Sequence, residues 1–336
     1  MRHIRALRAI LTWDEGIEAH LDVLEAGYTE ALLHAFGGFL GRLAAADPAA
    51  AAALMQPLAS LTTPELETLL RHPTTSRRLT LVDRYEPADT ARYLGRMIAE
   101  QDPPSARDLQ PADVVVAALA DRIYLRGEDR QAAAEEAVRV QRIAADVAAV
   151  VPCAMTMVMR CAREIVICQE PHLDTFRSNS PQGLVGRAML TNCHEADEVA
   201  LAEALVHEAT HGLVGMSEAQ GLVFGGDLAW LQDPYPYDGV SRVTSPWTGT
   251  RLDVPTYLHA VFVWFGLLGF WSRAYLSGRF PSDRVRARIH RSARGFVGGQ
   301  ATSELDPFRS ILSVHLMETL DGMSAQVVDH MQESLA

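Results

Sequence analysis

The sequence predicts a mainly α-helical protein with a small β-sheet (α+β), with its chemistry in the second half of the chain. Three observations support this. Apolar residues recur at three- and four-residue spacing through most of residues 1–150. Two short runs after Pro152 contain β-branched residues and are bounded by turn residues. A long apolar helix pattern covers 254–277. The 336 residues are enough for one large domain or for two that share a core.

The first half reads as one helix after another. The segments EGIEAHLDVLEAGYTEALLHAF and EDRQAAAEEAVRVQRIAADVAAV both have the helical apolar period, and the second ends near Val150. Residues 101–113 are polar and proline-rich, which predicts a loop. We therefore expect a helical region over 1–150 and a metal-binding catalytic region over 151–336, with one continuous domain as the alternative. The length and amphipathic pattern of 1–150 suggest a peptide-binding wall or the surface of a homodimer.

The sequence pattern changes from helical to strand-like at the start of the second half. CAMTMVMRCAREIVICQ and GLVGRAMLTN predict two strands, and SNSPQG predicts the loop between them. The elements expected next are a long helix over 195–215, an irregular stretch over 216–253, the apolar helix over 254–277, and two more helices.

Cellular context follows from three features. Residues 254–271 carry no formal charge and have the minimum length of a membrane span, but they include His259, so we expect a buried central helix and no membrane. The apolar run at the start of the sequence is too short and too broken for a signal peptide. The four cysteines form no CxxC pair. These features predict a cytoplasmic protein.

The charged residues narrow the possible partners and chemistries. The formal net charge is −12, which makes a nucleic-acid backbone a poor partner. All 30 basic residues are arginine, so neither a Schiff-base lysine nor a P-loop lysine is available. Any carboxylate of a ligand must then be held by arginine, hydroxyl or backbone groups, and the planar guanidinium suits this task.

The motif that carries chemistry is His207-Glu208-Ala209-Thr210-His211. A helix places residues i and i+4 on one face, so His207 and His211 can bind one metal ion from the same side. Glu208 points about 100° away from His207 and can reach a metal-bound water or a neighbouring ligand. The flanking leucines and valines predict that this helix is buried, where two unpartnered histidines would be costly.

The third ligand separates the possible functions. In one class of zinc peptidases it is a downstream glutamate, and Glu218 is a candidate if the helix continues through Gly212 and Gly215. His259, in the middle of the apolar helix, is the other strong candidate. The longer metzincin motif is excluded, because HGLVGMSEAQG has no histidine at the required position. Three aspartates of the irregular stretch are further candidates: Asp227, Asp233 and Asp238.

Residues 165–275 contain an ordered set of short motifs. They are GLVGRAMLT, LVHEATH, Ser245-Pro246-Trp247, Leu258-His259 and Phe270-Trp271. Trp247 and His259 are twelve residues apart, as are His259 and Trp271. This set and both spacings resemble the HExxH-motif family of iron(II)- and 2-oxoglutarate-dependent peptide β-hydroxylases, which act on ribosomally made natural-product precursors.

The resemblance implies that iron(II) is held by His207, His211 and His259, with 2-oxoglutarate and O₂ as cosubstrates and a peptide as substrate. Glu208 would orient a ligand or the substrate. The family carries an arginine- and proline-rich run after the tryptophan, and this chain departs from that pattern with TGTRLDVP.

The partner of the 2-oxoglutarate carboxylate is therefore expected to be Arg251, with Arg242 and Arg187 as further candidates. Trp247 and Tyr257 are candidates to wall the cofactor pocket, with packing as the alternative role.

Two other functions fit the same motif. In a zinc metallopeptidase, Glu208 would act as general base on a zinc-bound water. In a helical binding protein, a structural metal would need four protein ligands, of which Cys193 could supply one.

Overall fold

Helices make up most of the protein, and its strands form two small sheets, which confirms the predicted fold class. The computed structural model describes residues 2–14, 16–81, 84–100, 110–111, 123–126, 130–170, 172–181, 183–221, 242–310 and 312–333.

The first half of the chain is a stack of helices. Proline occupies the first position of three of them, where a missing backbone N–H costs nothing. The last helix of this half ends at Val150, as the sequence predicts. The helices are α1 (Arg2–Leu11), α2 (Ile17–Ala46), α3 (Pro48–Leu58), α4 (Thr63–Arg71), α5 (Pro73–Thr80), α6 (Pro87–Glu100) and α7 (Arg130–Val150).

A five-stranded mixed sheet lies beside these helices, in the order β1-β2-β3-β5-β4. Strands β2, β3 and β5 are parallel to one another, and the outer strands β1 and β4 are antiparallel to their neighbours. All five residues of β3 are buried, as expected of a central parallel strand. The strands are β1 (Gln110–Pro111), β2 (Ile123–Arg126), β3 (Glu164–Cys168), β4 (Arg177–Asn179) and β5 (Arg187–Thr191).

Two details of this region differ from the sequence prediction. The expected strand over 153–169 is wrong in its first part, because Pro152–Cys161 forms helix α8. Pro152 fits the first turn of a helix, and the buried side of α8 packs against the helix that carries the HExxH motif. Strand β2 lies in the half that we expected to be helical, and it pairs with β3 across residue 150.

The second half completes the fold. The helix with the HExxH motif starts and ends three residues later than expected, and the apolar helix has the expected bounds. Much of the expected irregular stretch, 222–241, lies outside the described residues. The elements are α9 (Glu198–Glu218), β6 (Arg242–Thr244), β7 (Arg251–Asp253), α10 (Val254–Ser277), α11 (Ser282–Ala293), α12 (Gln300–Ser303) and α13 (Val314–Glu333), with 3-10 turns at Cys193–Glu195, Val297–Gly299 and Asp306–Phe308.

Helix α10 lies at the centre of the second half. The Asp253 carboxylate caps its start by accepting from the backbone N–H of Thr256 at 2.8 Å, and Gly278 ends it with φ +64°. Among the described helices, α10 alone has the length and apolar composition of a membrane span, and 78% of its most apolar 18-residue window is buried inside the protein. Such burial is what a central core helix shows.

One hydrophobic cluster connects the two halves, running from Ile4 in α1 to Val327 in α13. The Trp13 indole N–H, just after α1, donates to the Gly266 carbonyl of α10 at 2.6 Å. The Arg8 guanidinium of α1 donates to the Gly322 carbonyl of α13 at 3.3 Å. Helix α1 therefore contacts both α10 and α13.

Candidate metal centre

Helix α9 places the metal-ligand candidates on one face. The Asp197 carboxylate caps the helix by accepting from the backbone N–H of Ala200 at 2.7 Å. The helix then runs without a break through two glycines to Glu218. His207, His211 and Glu218 are spaced by one turn and by two, so all three project from the same side.

The glycines of α9 allow close packing beside the histidines. A Cβ atom on Gly212 would lie 2.3 Å from the Cys161 carbonyl oxygen at the end of α8. A Cβ atom on Gly215 would lie 3.1 Å from the Val185 side chain. The backbone of α9 is thus fixed against its neighbours at the point where His211 projects.

The two HExxH histidines have the geometry of ligands to one ion. His207 Nε2 and His211 Nε2 are 3.2 Å apart. Two nitrogen ligands at about 2.1 Å from a common ion are separated by roughly 3.0–3.4 Å, depending on the coordination angle. The donor atoms of His207, Glu208 and His211 all lie within 4.8 Å of one another. The residues present therefore fit a metal ion.

Both histidines are neutral near pH 7. Burial lowers the pKa of His207 to about 4, and the nearby positive charge of Arg291 acts in the same direction. Burial also lowers the pKa of His211 to about 3, with a further contribution from the charge of His207. A neutral imidazole offers the nitrogen lone pair that a metal ion requires.

The structure brings His259 beside His211, at the ring nitrogen that faces away from His207. His259 Nδ1 lies 3.0 Å from His211 Nδ1, and the two rings are stacked with their centroids 5.2 Å apart. His259 Nε2 lies 2.9 Å from a carboxylate oxygen of Glu218. If Nε2 carries the proton donated to Glu218, Nδ1 keeps its lone pair on the side that faces His211. Glu218, considered from sequence as a ligand, here contacts a ligand candidate instead.

Replacing Glu218 with glutamine is expected to weaken metal binding by about 10- to 100-fold, because the carboxylate that orients His259 is lost. The measurement is the dissociation constant of zinc by calorimetry. The matched control is Glu198→Gln on the same helix, where the carboxylate is 52% exposed and 3.5 Å from Arg142. An unchanged affinity in Glu218→Gln, or an equal loss in the control, would contradict this role.

Glu208 is 2% exposed, and its position is fixed by a neighbouring loop. The Ser180 hydroxyl, just after β4, donates to Glu208 Oε2 at 2.8 Å. The other carboxylate oxygen lies 4.0 Å from His207 Nε2. The Glu208 carboxylate therefore lies next to the metal centre while it accepts a hydrogen bond from Ser180.

Two cavities meet at His211. The larger cavity, of about 580 Å³, also contains His207 in its wall. The smaller cavity, of about 310 Å³, contains His259 and Glu218. Each has arginines in its wall: Arg177, Arg288 and Arg291 for the larger, Arg77 and Arg84 for the smaller. His211 therefore borders both cavities, with His207 in the wall of one and His259 in the wall of the other.

The arginines singled out from sequence lie elsewhere. Arg251 is exposed on β7 and Arg242 lies on β6, and among described residues neither belongs to the walls of the two cavities. Arg187, on β5, pairs with the buried carboxylate of Glu164 at 2.5 Å. The structure therefore brings none of these three to the histidines.

Trp247 and Tyr257, the two candidates for the wall of the cofactor pocket, each donate a buried hydrogen bond to a backbone carbonyl. The Trp247 indole N–H donates to the Ser292 carbonyl at 2.9 Å, and the Tyr257 hydroxyl donates to the Ala301 carbonyl at 3.0 Å. Trp247 also stacks on Trp264, with ring centroids 6.0 Å apart. It is Trp264 that lines the larger cavity.

The remaining ligand candidates do not join the described centre. Asp227, Asp233 and Asp238 lie outside the described residues. Cys193 is buried in a turn whose carbonyl accepts from Arg139 at 2.8 Å, and burial raises the pKa of its thiol. Within the described part of the chain, the clustered metal donors are His207, Glu208 and His211, and the group includes neither Cys193 nor His259.

Sequence reasoning missed the arginines that face the histidines. Arg288 and Arg291 are three residues apart on α11, which puts both on one face of that helix. That spacing was the available signal, but arginines on a polar helix are usually solvated. Arg77 and Arg177 carried no signal, because only the tertiary fold brings α5 and β4 to the site.

Comparison of the sequence with protein-family models and with curated proteins gives no match. The residues and geometry of the site are therefore the basis for the function proposed below.

Proposed function

We propose that the protein is an iron(II)- and 2-oxoglutarate-dependent oxygenase that hydroxylates a side-chain β-carbon of a peptide, a ribosomally made precursor. The observation that carries this proposal is the row of three imidazoles with a cavity on each side of His211. An oxygenase of this kind must admit two organic molecules to one ion, and two cavities meeting at the ion's ligands provide for both.

His207 and His211 would hold the iron through their Nε2 atoms, and His259, which now faces Nδ1 of His211, would complete the set by turning its side chain toward them. Imidazole is a ligand of iron(II) and of zinc alike, so the surroundings decide between the two chemistries. When bound, iron(II) with 2-oxoglutarate and O₂ supplies an oxidant that replaces a C–H bond by C–OH, while 2-oxoglutarate leaves as succinate and CO₂.

The smaller cavity suits the cosubstrate. Arg77 lies in its wall, and the Nε–H of Arg77 is buried without a hydrogen-bond partner among described residues. An unpaired buried guanidinium N–H is costly, and a carboxylate would satisfy it. Arg77 is therefore better placed than the exposed Arg251 to bind the distal carboxylate of 2-oxoglutarate.

The larger cavity would then receive the peptide. Strand β4 borders it, through Arg177 and Ser178. Glu208, held by the Ser180 hydroxyl, would position the substrate or a ligand between the sheet and the histidines. Its own side chain needs no proton transfer in this reaction.

A zinc metallopeptidase is the second candidate, favoured by one observation. The Glu208 carboxylate lies within 4.8 Å of the donor atoms of both HExxH histidines, where a general base would act on a metal-bound water. A metallopeptidase mechanism does not require the arginines that line both cavities.

The deciding measurement is the visible spectrum of metal-free protein under anaerobic conditions. Iron(II) followed by 2-oxoglutarate is expected to produce a weak charge-transfer band that needs both additions and is lost in His259→Ala. Absence of the band, with zinc bound tightly and retained in His259→Ala, would rule out the oxygenase and support the peptidase.

Glu208→Gln separates the same two functions by a second route. The band is expected to remain in this variant, because Glu208 accepts from Ser180 and is not an iron ligand in the proposed site. A general base would instead be required for hydrolysis, and its loss would lower peptidase activity by about 10²- to 10⁴-fold. Peptide hydrolysis by the zinc-loaded protein that falls by this amount in Glu208→Gln would contradict the proposal.

A further inference from the structure

The wall of the larger cavity has an excess of positive charge. Among the described residues, its lining includes three arginines and one glutamate and no other charged side chain. Arg288 is engaged, because its guanidinium lies 2.7 Å from the Glu203 carboxylate, which also accepts from the Trp271 indole N–H at 3.0 Å. The charge that remains available to a ligand is on Arg177 and Arg291.

Arg291 is held in place without using its hydrogen-bond donors. Its guanidinium lies over the Trp264 ring, 4.9 Å from the centroid. Within the described part of the chain it forms no hydrogen bond or ion pair, and the same is true of Arg177. A guanidinium stacked on an indole keeps its planar edge of N–H groups free to bind a carboxylate in a bidentate way.

Strand β4 offers a second kind of recognition at the same cavity. Strand β4 is at the edge of the sheet. It pairs with β5 on one side, and no described strand pairs with its other side. Phe176, Arg177 and Ser178 place this strand in the cavity wall. The backbone N–H and C=O groups along a sheet edge can pair with an added extended chain.

We propose that the larger cavity binds an extended peptide segment carrying an aspartate or glutamate, with the peptide backbone paired to the free edge of β4 and the acidic side chain held by Arg177 and Arg291. This inference rests on the proposed function, since it names the class of peptide that the same site accepts. A free dicarboxylate such as 2-oxoglutarate has no backbone to pair with β4, so the edge strand favours a peptide as the occupant.

The strand geometry restricts where the acidic residue lies. Successive side chains of an extended peptide point to opposite faces, so positions i and i±2 face the same way. The acidic side chain and the carbon to be oxidised must both face the cavity that holds His207 and Arg291. The acidic residue is therefore either the residue that is oxidised or one an even number of places from it, with two places the nearest.

The test is affinity selection with a synthetic library of acetylated, amidated heptapeptides whose five central positions are random. The target is the immobilised full chain loaded with zinc, which does not support oxidation of the peptide. Aspartate and glutamate are expected to be enriched at one position by about fivefold or more over asparagine and glutamine, since charge-assisted bonds contribute at least ~1 kcal/mol. The enrichment is expected to disappear in Arg177→Gln and in Arg291→Gln.

Arg294→Gln is the matched control, because Arg294 follows the same helix, is exposed and does not line the cavity. It is expected to keep the acidic enrichment. No acidic enrichment with the native chain, or enrichment that survives both Arg177→Gln and Arg291→Gln, would overturn the inference. Such a result with the iron and 2-oxoglutarate band intact would leave the proposed function standing.

Two further outcomes separate the other possible occupants. If Arg291→Gln removes the 2-oxoglutarate band and the selected peptides show no acidic preference, the guanidinium binds the cosubstrate and the inference is wrong. If pairing with β4 is correct, single N-methyl groups on a selected peptide weaken binding by about 10-fold or more at alternate residues only, because alternate N–H groups point to the same edge. A uniform effect along the peptide would exclude the edge strand.

Discussion

Replacing His211 with alanine is expected to lower the affinity for zinc or iron(II) by at least about 10³-fold, more than the loss of any residue that merely orients a ligand. His211 is the middle member of the histidine row, 3.2 Å from His207 and 3.0 Å from His259 through different ring nitrogens. It also lies in the walls of both cavities. No other residue of the site has both properties.

The measurement is a competition titration of metal-free protein with a chelator of known zinc affinity. His290→Ala on α11 is the control, because that histidine is exposed and lines neither cavity. It should bind zinc as the native chain does. Zinc binding by His211→Ala within tenfold of the native affinity would mean that the ion lies elsewhere, and the site assigned here would be wrong.

Gly212→Ala is expected to destabilise the protein by about 3 kcal/mol, at the upper end for added volume in a packed interior. The added Cβ would lie 2.3 Å from the carbonyl oxygen of Cys161, which is backbone at the end of α8 and cannot rotate away. The two helices must then separate. Because Gly212 follows His211 directly, the separation also displaces a metal ligand, so zinc affinity is expected to fall in the same variant.

Denaturant unfolding followed by circular dichroism measures the first effect. Gly41→Ala in α2 is the matched control, since Gly41 is also helical but exposed, with nothing within 4 Å of an added Cβ. Alanine is the better helix former by about 1 kcal/mol, so this control should gain stability. Equal stability changes in the two variants would contradict the close contact between α8 and α9.

The helices with strong local signals could be predicted from sequence. Helix α10 has the expected bounds because Asp253 caps its start, Gly278 ends it and its apolar pattern is unbroken. The HExxH spacing placed His207 and His211 on one face, and the structure shows the same.

Other features depended on contacts between distant parts of the chain. Strand β2 has four residues and pairs with β3 in parallel. The connection between them contains two helices, so the sequence has no hairpin turn that would indicate the pairing. The run of methionine, cysteine and alanine in α8 fits a buried strand or a buried helix equally well, and packing on α9 decided for the helix.

In the site, too, some features follow from local sequence pattern and others depend on contacts between distant parts of the chain. The contact between Glu218 and His259 required α9 to continue through Gly212 and Gly215, although glycine lowers helix propensity. Arg77 and Arg291 belong to α5 and α11, which the sequence separates widely and the fold brings to two sides of His211. Sequence pattern found the groups that share one helix, and tertiary structure was needed for those that do not.

The contact of α1 with α13 affects how the chain folds as it is synthesised. Arg8 and Gly322 are 314 residues apart in the chain, so at about 5–20 residues per second a ribosome adds the second roughly 15–60 s after the first. Until then α1 can pack on α2 but lacks its contact with α13. Helix α1 therefore acquires its full set of contacts only after α13 has been synthesised.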